Sequence, residues 1–206
     1  MLAAMAEVKP RRRDISKALT RAAMLDAARE LFVTKGFDAT SIDGIARASE
    51  SSNGAVYHHF RDKQQIFTEV FRDSQAAILR ATIEAIPSDT SAWHRVESAT
   101  RAFLRSYAAD REACALLGQA VGVLGWDQVH KIDEEMSLPL IRTTLTEAIG
   151  TGEAVPLPVD AAADLLFSVY CSAILIIAAR PDPEQAAAEV ESVLFALLTG
   201  LRTSNG

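Results

Sequence analysis

An all-α protein in two parts is the expectation for this chain, a small three-helix head followed by a larger helical bundle, about nine helices in all. Three observations predict it. Apolar residues make up 49% of the 206 positions, and they recur at three- and four-residue steps, while β-branched runs between turn residues are scarce. Cap residues, glycines and prolines cut the chain into segments of helical length. Charge is divided: residues 1–63 hold eleven Lys or Arg against eight Asp or Glu, and residues 64–206 hold ten against nineteen, so a +3 front precedes a −9 remainder. Only the front suits a polyanion, and the acidic remainder would be repelled from one.

Residues 1–18 contain Lys9, Arg11, Arg12, Arg13 and Lys17 without apolar periodicity. They read as a basic mobile arm, either adding phosphate or minor-groove contacts or simply solvated. The first helix is expected near Thr20 to Lys35, with Met24, Ala27, Ala28, Leu31 and Phe32 inward and Gly36 as its left-handed stop. Thr40, three residues before Asp43, reads as the cap of a second, short helix. Its stripe of Ile42, Ile45, Ala46 and Ser49 faces a neighbour, and Asp43 and Arg47 stay outside. Ser49 to Ser52 carries no apolar residue, so a turn follows, and Ser52 caps a third helix over Asn53 to Phe60. There Val56 and Phe60 form an apolar foot, leaving Asn53, Ala55, Tyr57, His58 and His59 around the rest of the surface. Such a helix is shaped to enter a major groove.

Asp62 should cap a fourth helix running to about Ile86 on the stripe Ile66, Phe67, Val70, Phe71, Ser74, Ile78 and Leu79. A tilt in it would move the head. Pro87 to Thr90 end it and cap the fifth, about Ser91 to Ala109, with Trp93, Val96, Thr100, Phe103, Leu104 and Tyr107 on one face. Asp110 opens the sixth, which ends among Gly118, Gly122 and Gly125. The seventh, Trp126 to Ile149, contains Pro139 and should kink there, leaving room beside His130 and Met136. The eighth, Asp160 to Ala179, is apolar on nearly all sides. Its uncharged run Leu165 to Ala179 is shorter than the roughly 20 residues a membrane span needs, so a buried helix is expected. Asp182, Pro183 and Gln185 open the ninth, to about Arg202, on the stripe Ala186, Val190, Val193, Leu194, Leu197 and Leu201. One bundle cannot easily wrap both this stripe and the eighth helix, which predicts a partner subunit.

The front of the chain resembles the TetR family of bacterial transcription regulators. The likeness lies in RAAMLDAARELFVTKGF from Arg21 to Phe37, and in Thr40, Ile45, Ala46, Ala48, Ser52, Gly54, Val56, Tyr57, His58, His59, Phe60 and Lys63. It implies a homodimer through the last two helices, binding a palindromic double-stranded DNA operator. It implies too a repressor released by a small-molecule effector held among the fourth to eighth helices. Thr40, Ser41, Arg47, Ser52, Asn53, Gly54, Ala55, Tyr57, His58, His59 and Lys63 are then the expected DNA contacts. Asn53 could pair with adenine and the Ala55 methyl could touch thymine. Gly54 costs up to about 1 kcal/mol in a helix, and close approach to the DNA backbone is a reason to retain it. Two positions depart from the family pattern. Glu50 stands in place of a turn glycine and Ser51 in place of a buried aliphatic residue, which predicts a looser turn and an acid near phosphate.

Phe103, Tyr107, Trp126, His130, Met136, Arg142, Tyr170 and Cys171 are the candidate effector-binding residues, although an aromatic stripe at helical spacing is more often plain core. His58 and His59 point about 100° apart on a helix, which opposes chelation of one metal. Cys114 and Cys171 lack metal-ligand spacing and read as core thiols of a reducing, cytoplasmic compartment. No catalytic triad order, P-loop or dinucleotide fingerprint occurs, so no enzyme and no cofactor are expected. Two alternatives remain: a DNA binder with a solid bundle, constitutive or controlled by a protein, and a helical carrier or enzyme with a vestigial head.

Overall fold

Helix follows helix through the computed structural model, which describes residues 12–203, with side chains from Ile15 onward. Among the described residues there are nine α-helices, and the only extended pairing is an isolated antiparallel bridge between Ala154 and Arg202. The chain divides into two compact units, one through Val70 and one from Phe71 on. That division falls seven residues beyond the expected boundary at Lys63. The reason is packing: Ile66, Phe67 and Val70 are fully buried with the head residues.

The head unit contains α1 (Arg12–Lys35), α2 (Ile42–Ala48), α3 (Asn53–His59) and the start of α4 (Lys63–Glu84). The α1 helix begins eight residues before the expected Thr20, so residues 12–18 are helical and not an arm; residues 1–11 lie outside the described residues. Nothing over 12–19 breaks a helix, and the Thr20 hydroxyl donates to the Ser16 carbonyl at 3.0 Å. Periodicity was missing because this turn buries nothing: Ile15, Lys17 and Leu19 are exposed. Met24, Ala28, Phe32, Ile45, Val56, Phe60, Ile66 and Phe67 form the head core, each at most 2% exposed. Phe67 meets the rings of Phe32 at 5.1 Å and Phe37 at 5.5 Å, both edge-on. Each such aromatic contact is worth about 0.5–1.5 kcal/mol beyond its buried area. Gly36 stops α1 at φ +82°.

The bundle unit continues α4 and adds α5 (Ala92–Ala109), α6 (Arg111–Leu124), α7 (Trp126–Gly150), α8 (Val159–Ala178) and α9 (Pro183–Thr199). Ser91, rather than Thr90, caps α5 by accepting from the His94 amide at 3.2 Å. Asp110 caps α6 through the Ala113 amide at 2.8 Å and Asp182 caps α9 through the Gln185 amide at 3.0 Å, each where the sequence placed it. Leu104, Ala173, Ile177, Ala187 and Leu194 join α5, α8 and α9 in one core cluster, and ion pairs Arg101–Glu191 and Arg95–Glu147, both at 2.7 Å, edge the packing. Helix α8 is long and apolar enough to cross a membrane by length and composition. Its Ala163, Phe167, Cys171, Ile174 and Ile177 are nevertheless buried inside the unit.

Candidate nucleic-acid interface and internal cavity

The α2–turn–α3 segment is closed by its own backbone. Ser51 N–H bonds the Ala46 carbonyl at 2.8 Å and Glu50 N–H bonds that of Arg47 at 3.3 Å. This is the paired helix-ending pattern that requires a left-handed residue between the two donors. Glu50 occupies that place at φ +51°, the only positive φ of a non-glycine among the described residues. The expected loosening does not occur, since the Ser51 hydroxyl donates to the Ser49 carbonyl at 3.1 Å and holds the turn. Strain remains instead. Glu50→Gly should therefore stabilise the protein by up to about 1 kcal/mol and tighten DNA binding at low salt, as one acid leaves the surface. Thermal unfolding and a salt series of binding isotherms check it; an unchanged melting temperature would remove the strain argument.

Ser41 and Ser52 cap α2 and α3 by accepting from the amides of Gly44 and Ala55, both at 3.1 Å. Thr40 therefore is not the cap, and its expected contact with DNA is corrected: it is 3% exposed and its hydroxyl donates to the Gly36 carbonyl at 2.8 Å. Lys63, half-buried, is engaged within the head. Its ammonium donates to the carbonyls of Phe37 at 2.7 Å and Thr40 at 2.8 Å and lies 4.1 Å from the Phe37 ring centroid, so it clamps the head from within. Arg21 performs a similar task, pairing with Glu69 and lying 4.9 Å from the Phe60 ring centroid.

The outer face of α3 presents Asn53, Gly54, Tyr57 and His58, all exposed, while Val56 is fully buried beneath them. Ala55 and His59 are half-buried, and Arg47 is exposed at the end of α2. Burial lowers the pKa of His59 first, and the positive neighbours His58, Lys17 and Arg21 lower it further. A neutral imidazole there offers one N–H donor rather than a charge. The two rings are edge-on at 5.5 Å, and no group of three metal-binding side chains occurs among the described residues. One feature was missed from sequence: the Asn53 amide donates to the Asp43 carboxylate of α2. The amide keeps a second N–H and its carbonyl oxygen, so this bond orients Asn53 while leaving one donor and one acceptor for a base edge.

Gly54 has open space around it, since an added methyl would meet nothing closer than Ser52 Oγ at 3.9 Å. Gly54→Ala should thus stabilise the free protein by about 0.5–1 kcal/mol through helix propensity, yet weaken DNA binding by intruding on the phosphate backbone. Unfolding curves beside binding isotherms read both effects; undiminished affinity would free the glycine from any role in close approach.

The bundle unit encloses a cavity with about 770 Å³ of non-atom space, its opening included, between α4, α5, α7 and α8. Phe103, Tyr107, Tyr170 and Cys171 line it, as expected. Trp126 and His130 instead line a smaller cleft of about 260 Å³ against α6, and Met136 and Arg142 line neither. Arg142 turns away to Asp160 at 3.0 Å and Asp164 at 3.4 Å, because those carboxylates lie at the surface start of α8.

Asp133 was overlooked. It borders both spaces, is 7% exposed, and burial pushes its pKa up to about 7. The signal existed, an acid beside Ile132 on the inward stripe of α7 four residues after Val129. Across the cavity the Tyr107 hydroxyl donates to Gln75, and burial drives the Tyr107 pKa well up.

Comparison with known proteins agrees with this layout. A family model for bacterial regulatory proteins of the tetR family matches residues 24–70, and one for tetracyclin repressor-like C-terminal domains matches residues 93–201. The Tn10 TetC protein of Escherichia coli is 29% identical over 116 residues, which cover 56% of this chain and 58% of that protein. AcrR of Shigella flexneri is 38% identical over 65 residues, or 32% of this chain and 30% of AcrR. The chain thus matches from under a third to somewhat over half of the length of these two relatives. Among solved structures, a TetR-family regulator from Pectobacterium atrosepticum superposes at a TM-score of 0.79 with 25% identity, covering 95% of this chain and 99% of the other. The fatty acid degradation regulator FadR of Bacillus halodurans, at TM-score 0.68 and 16% identity over 85% of this chain and 94% of its own, shares the fold.

Proposed function

The chain belongs to the tetR family of bacterial regulatory proteins, and on that premise we propose that it is a cytoplasmic, DNA-binding transcription regulator, a repressor released by a small-molecule effector. Two copies of α3 in a homodimer would enter successive major grooves about one duplex turn apart, roughly 34 Å. The observation that carries this reading is the contrast within α3: a fully buried Val56 foot beneath exposed Asn53, Tyr57 and His58. A helix anchored on one side and polar on the other displays its side chains to a groove without losing its packing.

Dimerisation through α8 and α9 is supported by apolar residues left in water. Leu165 is 70% exposed, Val193 61%, Leu197 58% and Ile176 48%. The effector reading is supported by the cavity, which a solid bundle would lack. Its wall includes Gln75, Leu79 and Thr82 of α4, and the same helix begins at Lys63 in the head. A ligand that shifts α4 would bias the population of heads able to reach both grooves.

The test is fluorescence anisotropy on a duplex selected by the protein from a randomised pool. Affinity should fall steeply with salt. Tyr57→Phe should weaken binding to selected and random duplexes alike, and Asn53→Ala should cost about 1–3 kcal/mol at one base pair only. Absence of salt-sensitive binding at low salt would end the regulator reading, and equal losses on both duplexes would strip Asn53 of its base.

A further inference from the structure

We propose that the bundle cavity takes a lipophilic monocation, an amine or quaternary ammonium compound whose apolar body lies against the aromatic wall and whose charge pairs with Asp133. The inference rests on the reading of this cavity as the effector site and gives that effector a chemical class.

Most polar groups of the wall are already served; among the described residues Asp133 and the hydroxyl of Ser137, one turn further along α7, are not, and Asp133 is the only ionisable acid or base of the two. The Tyr107 hydroxyl bonds Gln75, the Thr100 and Tyr170 hydroxyls bond each other at 2.6 Å, and Thr82 and Thr144 donate to helix carbonyls at 2.9 and 3.0 Å. Asp133 has no hydrogen bond or ion pair from its side chain to any described residue, although it is 7% exposed and faces the space. A buried carboxyl in that condition is costly, and its proton is held to near neutrality by burial alone. A cation seated beside it would offset that cost and favour the ionised form.

The remaining lining points the same way. Phe103 stands edge-on to Tyr107 at 5.3 Å and to Tyr170 at 5.8 Å, and ring faces of such a cluster attract a cation that has shed its water. Among the described residues no Lys, Arg or His borders the main cavity, so an anionic ligand would enter beside an acid without a counter-charge from them. A neutral ligand would fill the apolar wall but leave Asp133 as it is.

Calorimetric titration of the full-length protein with three matched probes tests the class: 4-phenylbutyltrimethylammonium, its neutral carbon isostere with a tert-butyl end, and 5-phenylpentanoate. The cation should bind at least about tenfold more tightly than the neutral isostere, and the anion should not bind. Asp133→Asn should abolish that preference and Asp133→Glu should keep it, with unfolding curves showing both variants folded. Equal binding of cation and isostere, persistence of the preference in Asp133→Asn, or binding by none of the three would overturn the proposal. Anisotropy on the selected duplex, read in the same solutions, separates the two levels. Release of DNA by the neutral isostere without cation preference keeps the effector site and discards the class. Cation binding through Asp133 with DNA still held keeps the class and discards the effector role.

Discussion

Asp133→Asn is expected to raise the melting temperature of the ligand-free protein at pH 8 while leaving it level with, or slightly below, the unchanged protein near pH 4. The sign follows from where the proton sits. Burial lifts this carboxyl from 3.8 to about 7 in the fold, so the folded chain holds a proton that the unfolded chain releases. Below the ordinary carboxyl range both states are protonated and no penalty arises. As pH climbs from about 4 to 7 the unfolded state gains by ionising, and stability drains away; above 7 the loss is complete. A rise from 3.8 to about 7 corresponds to a penalty of order 4 kcal/mol. Asparagine cannot ionise, and its buried amide lacks partners much as the protonated carboxyl does, so the two costs nearly cancel and most of that penalty, about 3–4 kcal/mol, is the expected gain at pH 8.

Neighbouring groups do not blur the comparison. Burial pushes Cys171 up to about 12 and drives Tyr107 upward too, so both stay neutral across the window. Glu153 acts in the opposite sense. Hydrogen bonds led by the Ser91 hydroxyl hold its pKa down, so its support is present at neutral pH and lost as pH falls. Both proteins share Glu153, and the difference between their curves isolates Asp133. Melting temperatures from pH 4 to 8 decide the matter: parallel curves would mean that the carboxyl is solvated in the cavity. A residue that weakens the fold and lines a cavity is the usual signature of stability given up for function.

The helices were legible wherever a buried stripe and a cap coincided. Asp110, Asp182, Ser52 and Gly36 each fixed an end because capping is local chemistry that needs no knowledge of the neighbours. The start of α1 was not legible, since periodicity reports burial and residues 12–19 are helical without being buried in a core. Thr40 and Lys63 show another limit. A hydroxyl beside a second hydroxyl, Thr40 before Ser41, gives no sign of which one caps. An amphiphilic cation at a helix start suits a phosphate or two carbonyls equally, and only the fold brings Phe37 and Thr40 within reach of Lys63. The cavity was partly visible as aromatic residues at helical spacing, three of which, Phe103, Tyr107 and Tyr170, line it together with Cys171. Arg142 escaped because its partners, Asp160 and Asp164, lie on the next helix. The apolar stripe of α9 divides in the structure: Ala186 and Leu194 are buried, and Val193 and Leu197 are not.

That division yields the largest expected effect on DNA. In α8, Ala161, Leu165, Ser168, Ser172 and Ile176 follow one another at three- and four-residue steps and are all exposed; in α9, Val193 and Leu197 are four apart and exposed, as are Ala196 and, four residues on at the helix end, Gly200. Small residues between large apolar ones let two helices approach a second pair closely, and a stripe of this kind gains nothing from water. Combining Leu165→Glu with Leu197→Glu would set a carboxylate in each half of that surface. Paired copies would then desolvate four charges of one sign, a cost of several kcal/mol that a dimer interface cannot absorb. Neither residue belongs to the core of its own subunit, so helical content and ligand binding by the isolated bundle should persist. Sedimentation should show a monomer. Affinity for the selected duplex should fall on the order of 10²–10⁴-fold, because each head then binds alone and loses the effective concentration supplied by its partner. A monomer that held the duplex as tightly as the unchanged protein would show that the second head contributes nothing, and a dimer that survived the double change would move the interface to another face.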